Sequence, residues 1–154
     1  MPFQVGGQRV QGRFNLRLVG QPAAGTLADL LHDLEAETEP GTEAAVVSLP
    51  RGPLHLRHRF YSALILPDLL QLLKEAEQEG FHAAIIGCFF DVGLQEAREA
   101  LRHLAVVGPC ESSVYIASTL CDRFSILVGA RKAIPQIRES TMAAMFLLRW
   151  ILGH

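Results

Sequence analysis

Three cysteines, Cys88, Cys110 and Cys121, carry the most reactive side-chain chemistry in this sequence, and Cys88 has the most suggestive neighbours. It opens the run Cys88-Phe89-Phe90-Asp91-Val92-Gly93-Leu94, which sets a thiol, a carboxylate and the backbone donors of a turn close together. A thiolate can remove a proton from carbon and a thiol can return one. A helix start just after the turn would put positive potential near the sulfur, lower its pKa and favour the thiolate. The odd number of cysteines and the lack of any CxxC spacing argue for free thiols, against a disulfide framework or a zinc knuckle. Cys110, beside Pro109, has local packing as its first reading and a thiol reaching the cleft as its second; Cys121, in a Leu-Cys-Asp-Arg turn, reads as packing.

Other polar groups are weaker candidates. Glu111, Ser112 and Ser113 stand at a helix start, where capping competes with substrate contact. His55, Arg57, His58 and Arg59 read either as a solvated loop or as an anion pocket. His82 reads as structural and His103 as solvent-facing on a helix. No His/Cys/Glu set has metal-ligand spacing, and no glycine-rich phosphate loop is present, so neither a metal nor a nucleotide cofactor is expected.

The elements that must position these residues alternate along the chain. Arg13 to Gly20 alternates as a strand and runs into the loop Gly20-Gln21-Pro22-Ala23-Ala24-Gly25. Leu27, Leu30, Leu31 and Leu34 follow Thr26 with helical spacing, and Thr42 to Leu49 reads as a second strand. The mixed stretch from Leu54 to Ala63 reads as a loop, with Pro67 in the first turn of a helix reaching Gly80. Ala83 to Phe89 is a continuous apolar run, as expected of a buried parallel strand, and a helix from about Gln95 to Leu104 follows the Cys88 turn. A short fourth strand over Ala105 to Gly108, a helix over Glu111 to Leu120 and a fifth strand over Phe124 to Val128 complete the order. This alternation predicts an α/β domain with a mainly parallel sheet and helices on both faces, whose ligands bind outside the carboxyl ends of the strands. Cys88 lies at that end of the third strand.

The chain of 154 residues, 49% hydrophobic and 19% charged, is long enough to bury a core. A net charge of −2 supplies no positive field for a nucleic acid. The longest apolar runs, Ala83 to Phe90 and Met142 to Leu148, fall short of a membrane span, and the first residues show no targeting pattern; a cytoplasmic location is the default expectation.

The segment Ile85-Ile86-Gly87-Cys88-Phe89-Phe90-Asp91-Val92-Gly93-Leu94, followed by Ala97-Arg98-Glu99, resembles the signature of the hydantoin racemases in the Asp/Glu/hydantoin racemase superfamily. There a Gly-Cys-Phe-Gly-Asp-Pro-Gly-Leu stretch carries a catalytic cysteine. Val106-Val107-Gly108, Glu111, Ala117 and Arg123-Phe124-Ser125 follow in the family's order, and Gly80-Phe81-His82-Ala83 resembles its approach to the strand. The resemblance is good over about 60 to 128 and weaker over 13 to 59. It implies a flavodoxin-like parallel sheet, the first lobe of a two-lobed racemase fold, over residues 1–128. It also implies a cofactor-independent racemase or epimerase acting on amino acids or hydantoin-type derivatives. Two cysteines face each other across the substrate's α-carbon in that family, and Cys88 corresponds to the first.

The departures are specific. The second Gly-Cys segment belongs to a second lobe that this sequence mostly lacks, and Cys110 and Cys121 do not stand in its place. The family's Asn-Pro-Asn-Thr/Ser loop is Val19-Gly20-Gln21-Pro22-Ala23 here, with Gln21 left to donate to a carboxylate. Val128 and Gly129 stand where the family has Thr, Phe90 replaces a Gly and Val92 a Pro. Substrate contacts are therefore expected from Gln21, Phe89, Phe90, Asp91, Glu111 and Ser112 around a catalytic Cys88. Residues 129–154, rich in Met, Leu and Trp150, are expected to form an apolar helical segment packing on the lobe or at a homo-oligomer interface. A single-cysteine decarboxylase or isomerase and a non-catalytic carboxylate-binding or structural oligomer remain open beside the racemase reading.

Overall fold

The computed structural model describes residues 4–5, 8–9, 14–20, 32, 34–38, 41–53 and 55–151. The expected helix around Leu27 to Leu34 lies largely outside them, although His32 and residues 34–36 are helical. A short antiparallel pair, β1 (Gln4–Val5) and β2 (Gln8–Arg9), precedes the main sheet. That sheet holds β3 (Phe14–Gly20), β4 (Thr42–Ser48), β5 (Ala83–Ile86) and β6 (Ala105–Val107) in the order β4-β3-β5-β6, every pair parallel. The expected parallel α/β architecture is present. β3 is central and its successors lie on opposite sides of it, so the strand order reverses between β3 and β5, where open α/β sheets form a crevice.

Four helices are described: α1 (Arg59–Gln78), α2 (Leu94–Ala100), α3 (Pro109–Leu120) and α4 (Ile134–Ile151), the last entered through a 3-10 turn at Arg131–Ala133. α1 packs against β3 and α2, α2 against β6, and α4 against α3. Ile65, Leu69, Leu73 and Ala76 form the buried stripe of α1, and they meet Ala84, Ile86, Val106 and Leu94 in the main core.

Two expectations fail. α1 begins at Arg59, so the second half of the stretch taken as a loop, Arg59 to Ala63, is its first turn and Pro67 lies inside it. Phe60 and Leu64 point outward there, 70% and 57% exposed, which hides the helical period from a search for a buried face. Pro67 removes one helical hydrogen bond, a cost of about 3 kcal/mol that the packed stripe downstream offsets. Phe124 to Val128 forms no strand. Ile126 and Val128 pack instead on a second cluster of Cys110, Val114 and Ile137, while Leu127 is 99% exposed.

A long-range cap closes the turn between α2 and β6. The Glu77 carboxylate accepts N–H bonds from Arg102 (2.8 Å), His103 (2.6 Å) and Leu104 (3.2 Å) through Oε1. The His103 and Arg102 donors hold its pKa below the ordinary value. A depressed carboxylate pKa stabilises the fold above the unfolded value of about 4.3, and this contribution is lost as pH falls through the folded value. Glu77→Ala is therefore expected to lower the urea midpoint at pH 7, with the gap from wild type narrowing in acid below the unfolded value; a gap constant with pH would contradict this.

Candidate functional site

Beyond β5 the chain makes a tight turn rather than continuing as a strand to Phe89. The Cys88 N–H donates to the Ile86 carbonyl (2.8 Å), the Asp91 N–H to the Cys88 carbonyl (2.9 Å) and the Leu94 N–H to the Asp91 carbonyl (3.1 Å). Asp91 adopts φ 49°, the only positive φ at a non-glycine among the described residues. Gly93, at φ 75°, caps α2 from the left-handed region, and a Cβ there would lie 2.7 Å from Leu66 Cδ1 and 2.9 Å from Leu69 Cδ2. Glycine at this position lets the turn press directly onto α1.

Cys88 is half-buried against the core. Burial pushes its thiol pKa up, the Phe90 backbone N–H works against this, and the charge of Asp91 pushes it up again. This reverses the expectation of a thiolate stabilised by a helix end. α2 opens only after the turn, and burial of the sulfur, with the Asp91 charge adding to it, favours the thiol.

The carboxylate of Asp91 is engaged by α3. Cys110 N–H donates to Oδ1 (2.9 Å) and Glu111 N–H to Oδ2 (2.7 Å). Gly108, the N-cap of α3, contributes no side-chain bond, and a Cβ on it would run into the Asp91 carboxylate. Burial raises the Asp91 pKa while these two donors lower it. Glu111 forms a bidentate pair with Arg98, at 2.6 Å and 3.0 Å, and Arg98 also donates to the Val106 carbonyl (3.3 Å and 3.2 Å). α2, β6 and α3 are thereby tied around the turn.

Phe90, Asp91 and Glu111 line one half-open cavity of about 450 Å³, together with Arg59, Ser62, Gln136 and Ser140. Phe89 lines a separate groove of about 390 Å³ with Ser113 and Phe124. Neither hollow includes Cys88 or Ser112 among its lining residues. Ser112 sits in the first turn of α3, its N–H bonded to the Gly108 carbonyl. Gln21 lies outside the described residues. The six expected contacts therefore do not converge on one hollow, and the turn itself is the better guide to the site.

Cys110 is fully buried against Val114 and Ile137, and its pKa is raised by burial and by Asp91. Cys121 is exposed at the far end of α3, where its thiol donates to the Ala117 carbonyl (3.1 Å). The eleven steps of α3 between them span roughly 16 Å at 1.5 Å per residue. The rings of His55, His58 and Tyr61 cluster with centroids 5.3–5.9 Å apart, and Arg59 pairs with Glu139 of α4 (2.5 Å). Among the described residues, no group of three or more His, Cys, Asp or Glu could hold a metal ion, and no helix is long and apolar enough to cross a membrane.

Sequence reasoning missed Asp91 as the cap of α3. Gly108-Pro109 carried the signal: Pro at the first helical position marks a helix start, and a glycine before it leaves the donors to be satisfied from elsewhere.

The family model described as Asp/Glu/Hydantoin racemase matches residues 25–146. A hydantoin racemase from Pseudomonas sp. (strain NS671) is 35% identical over 107 residues, 70% of this chain and 41% of that protein. One from Rhizobium meliloti is 34% identical over 77 residues, 50% of this chain and 32% of that protein. Among solved structures, allantoin racemase from Klebsiella pneumoniae matches with a TM-score of 0.78 at 22% identity, covering 86% of this chain and 54% of that one. The chain spans less than half the length of these curated relatives, and the structural likeness bears on the fold.

Proposed function

Since the chain belongs to the Asp/Glu/hydantoin racemase family, we propose that it is a cofactor-independent isomerase of racemase type, in which the Cys88 thiol exchanges the α-proton of an amino acid or a hydantoin-type derivative. The observation that carries this reading is the position of Cys88 on the turn after β5, beside β3, where the strand order reverses. In the forward step the deprotonated sulfur takes the α-proton: the C–H bond breaks, an S–H bond forms, and the electron pair passes into the adjoining carbonyl as an enolate-like anion. Return of a proton from the thiol restores the C–H bond on the same face, and inversion requires a second donor on the opposite face.

A one-face variant of this chemistry has its own support. Cys110 is sealed in the core and Cys121 lies at the other end of α3, so neither is a partner thiol for Cys88. A single proton carrier suits a decarboxylase or an isomerase that protonates one face. The proposal includes a cytoplasmic setting, where thiols stay reduced. It also includes a homo-oligomer, supported by exposed Ile116 and Leu120, one turn apart on α3, and by exposed Leu127.

The test is incorporation of solvent deuterium at the α-carbon of amino acids and 5-substituted hydantoins, with the product's handedness and any carbon dioxide release followed together. Exchange with inversion is expected for a racemase, and exchange or decarboxylation of one hand only for the one-face variant. Absence of all three with every substrate would sink the catalytic reading in favour of a non-catalytic carboxylate-binding or structural oligomer.

A further inference from the structure

We infer that Asp91 is a positioning residue: it seats the Cys88 turn on the N-terminus of α3 and takes up the positive end of that helix, so that this end is not left open to the Cys88 sulfur. The inference deepens the proposed role of Cys88 and rests on it. Three observations meet at this side chain. Asp91 holds a left-handed backbone conformation, which a non-glycine adopts only where its surroundings enforce it. Its two oxygens separately accept the Cys110 and Glu111 N–H groups, nineteen and twenty residues further along the chain. The path of its carboxylate crosses Gly108 where a Cβ would collide with it.

The consequence is electrostatic. The first turn of a twelve-residue helix attracts negative charge, and here that charge belongs to the protein itself. Any anion at the Cys88 turn faces the Asp91 carboxylate instead of an open helix end. The charged groups that act on Asp91 are Glu111 of α3 and Arg98 of α2, which form an ion pair; Glu96 of α2 and the Arg59–Glu139 pair of α1 and α4 line the same cavity, and the buried thiol of Cys110 lies beside Asp91. Burial is the largest influence on Cys88, and the Asp91 charge acts in the same direction.

The experiment is the alkylation rate of Cys88 by iodoacetamide against pH, read by mass spectrometry on the full chain in a Cys121→Ser background. Asp91→Asn and Asp91→Ser are compared with the parent. Both remove the charge, and Ser is a side chain that can still accept from a helix N–H. The midpoint of the alkylation profile is expected to shift to lower pH than the parent's in each variant. An unchanged or raised midpoint would overturn the inference. So would loss of the folded circular dichroism spectrum in both variants, which would make Asp91 a structural residue only; if Asn alone unfolds, Ser decides. Alkylation needs no substrate, so a lowered midpoint beside a wild type that exchanges no α-proton would sink the racemase reading and leave the positioning role standing.

Discussion

Cys88→Ser is expected to reduce α-proton exchange by about 10²–10⁴-fold, the usual range for losing a positioned acid or base, while moving the thermal midpoint by no more than about 2–4 °C. The two outcomes belong together. Serine is close in size to cysteine, its oxygen can accept the Phe90 N–H that works on the sulfur, and the turn is held by the Cys88 and Asp91 backbone bonds and the Asp91 cap rather than by the thiol. What is lost is acid–base chemistry, because a hydroxyl neither ionises near neutral pH nor gives up its proton as readily. The pH profile adds a second readout. Burial and Asp91 hold the thiol above its ordinary value, so exchange that begins with the deprotonated sulfur climbs with pH beyond about 8.5 before it levels. Exchange that survives Cys88→Ser at the wild-type rate would remove Cys88 from the chemistry.

Leu73→Ala should act on the fold instead, lowering unfolding free energy by about 2–5 kcal/mol. Leu73 is completely buried, between Leu69 and Ala76 on the inner stripe of α1, and three removed carbons leave a space that the packed neighbours refill only in part. For a domain with stability on the order of 5–15 kcal/mol this is a large fraction of the total. A urea melt with the wild-type slope and a midpoint displaced to lower concentration would express it, whereas a loss under about 1 kcal/mol would mean that the site collapses around the smaller side chain.

The two variants also mark how much could be read from residue order. Strand and helix alternation, the parallel sheet and the position of Cys88 follow from local patterns: alternation in β3, an unbroken apolar run in β5, and Asp91 and Gly93 marking a turn. The start of α1 does not, because Phe60 and Leu64 place apolar side chains on the exposed face while Pro67 imitates a helix start. Phe124 to Val128 has the composition of a strand but finds no ladder partner, and composition does not report partners. The direction of the Cys88 pKa was misread for a related reason. The local view saw a helix opening after the turn, whereas burial of the sulfur is the largest influence and the Asp91 charge only adds to it, and the helix end that Asp91 caps begins almost twenty residues later. Of the expected contacts, Phe90, Asp91 and Glu111 share a cavity, and two of these three are already engaged by neighbouring elements.

The unpaired segment after α3 bears on how the protein behaves in a test tube. β6 carries no strand on its outer side among the described residues, where Arg98 takes up the Val106 carbonyl instead. The nearby Phe-Ser-Ile-Leu-Val run is uncharged, free of proline and rich in residues that favour strands, and Leu127 within it is almost wholly in water. Such an exposed, strand-prone run can pair with the same run of a second copy. Solubility, more than folding, is then the property most exposed to concentration and mild heating, and a single lysine in place of Leu127 should protect it without touching the core.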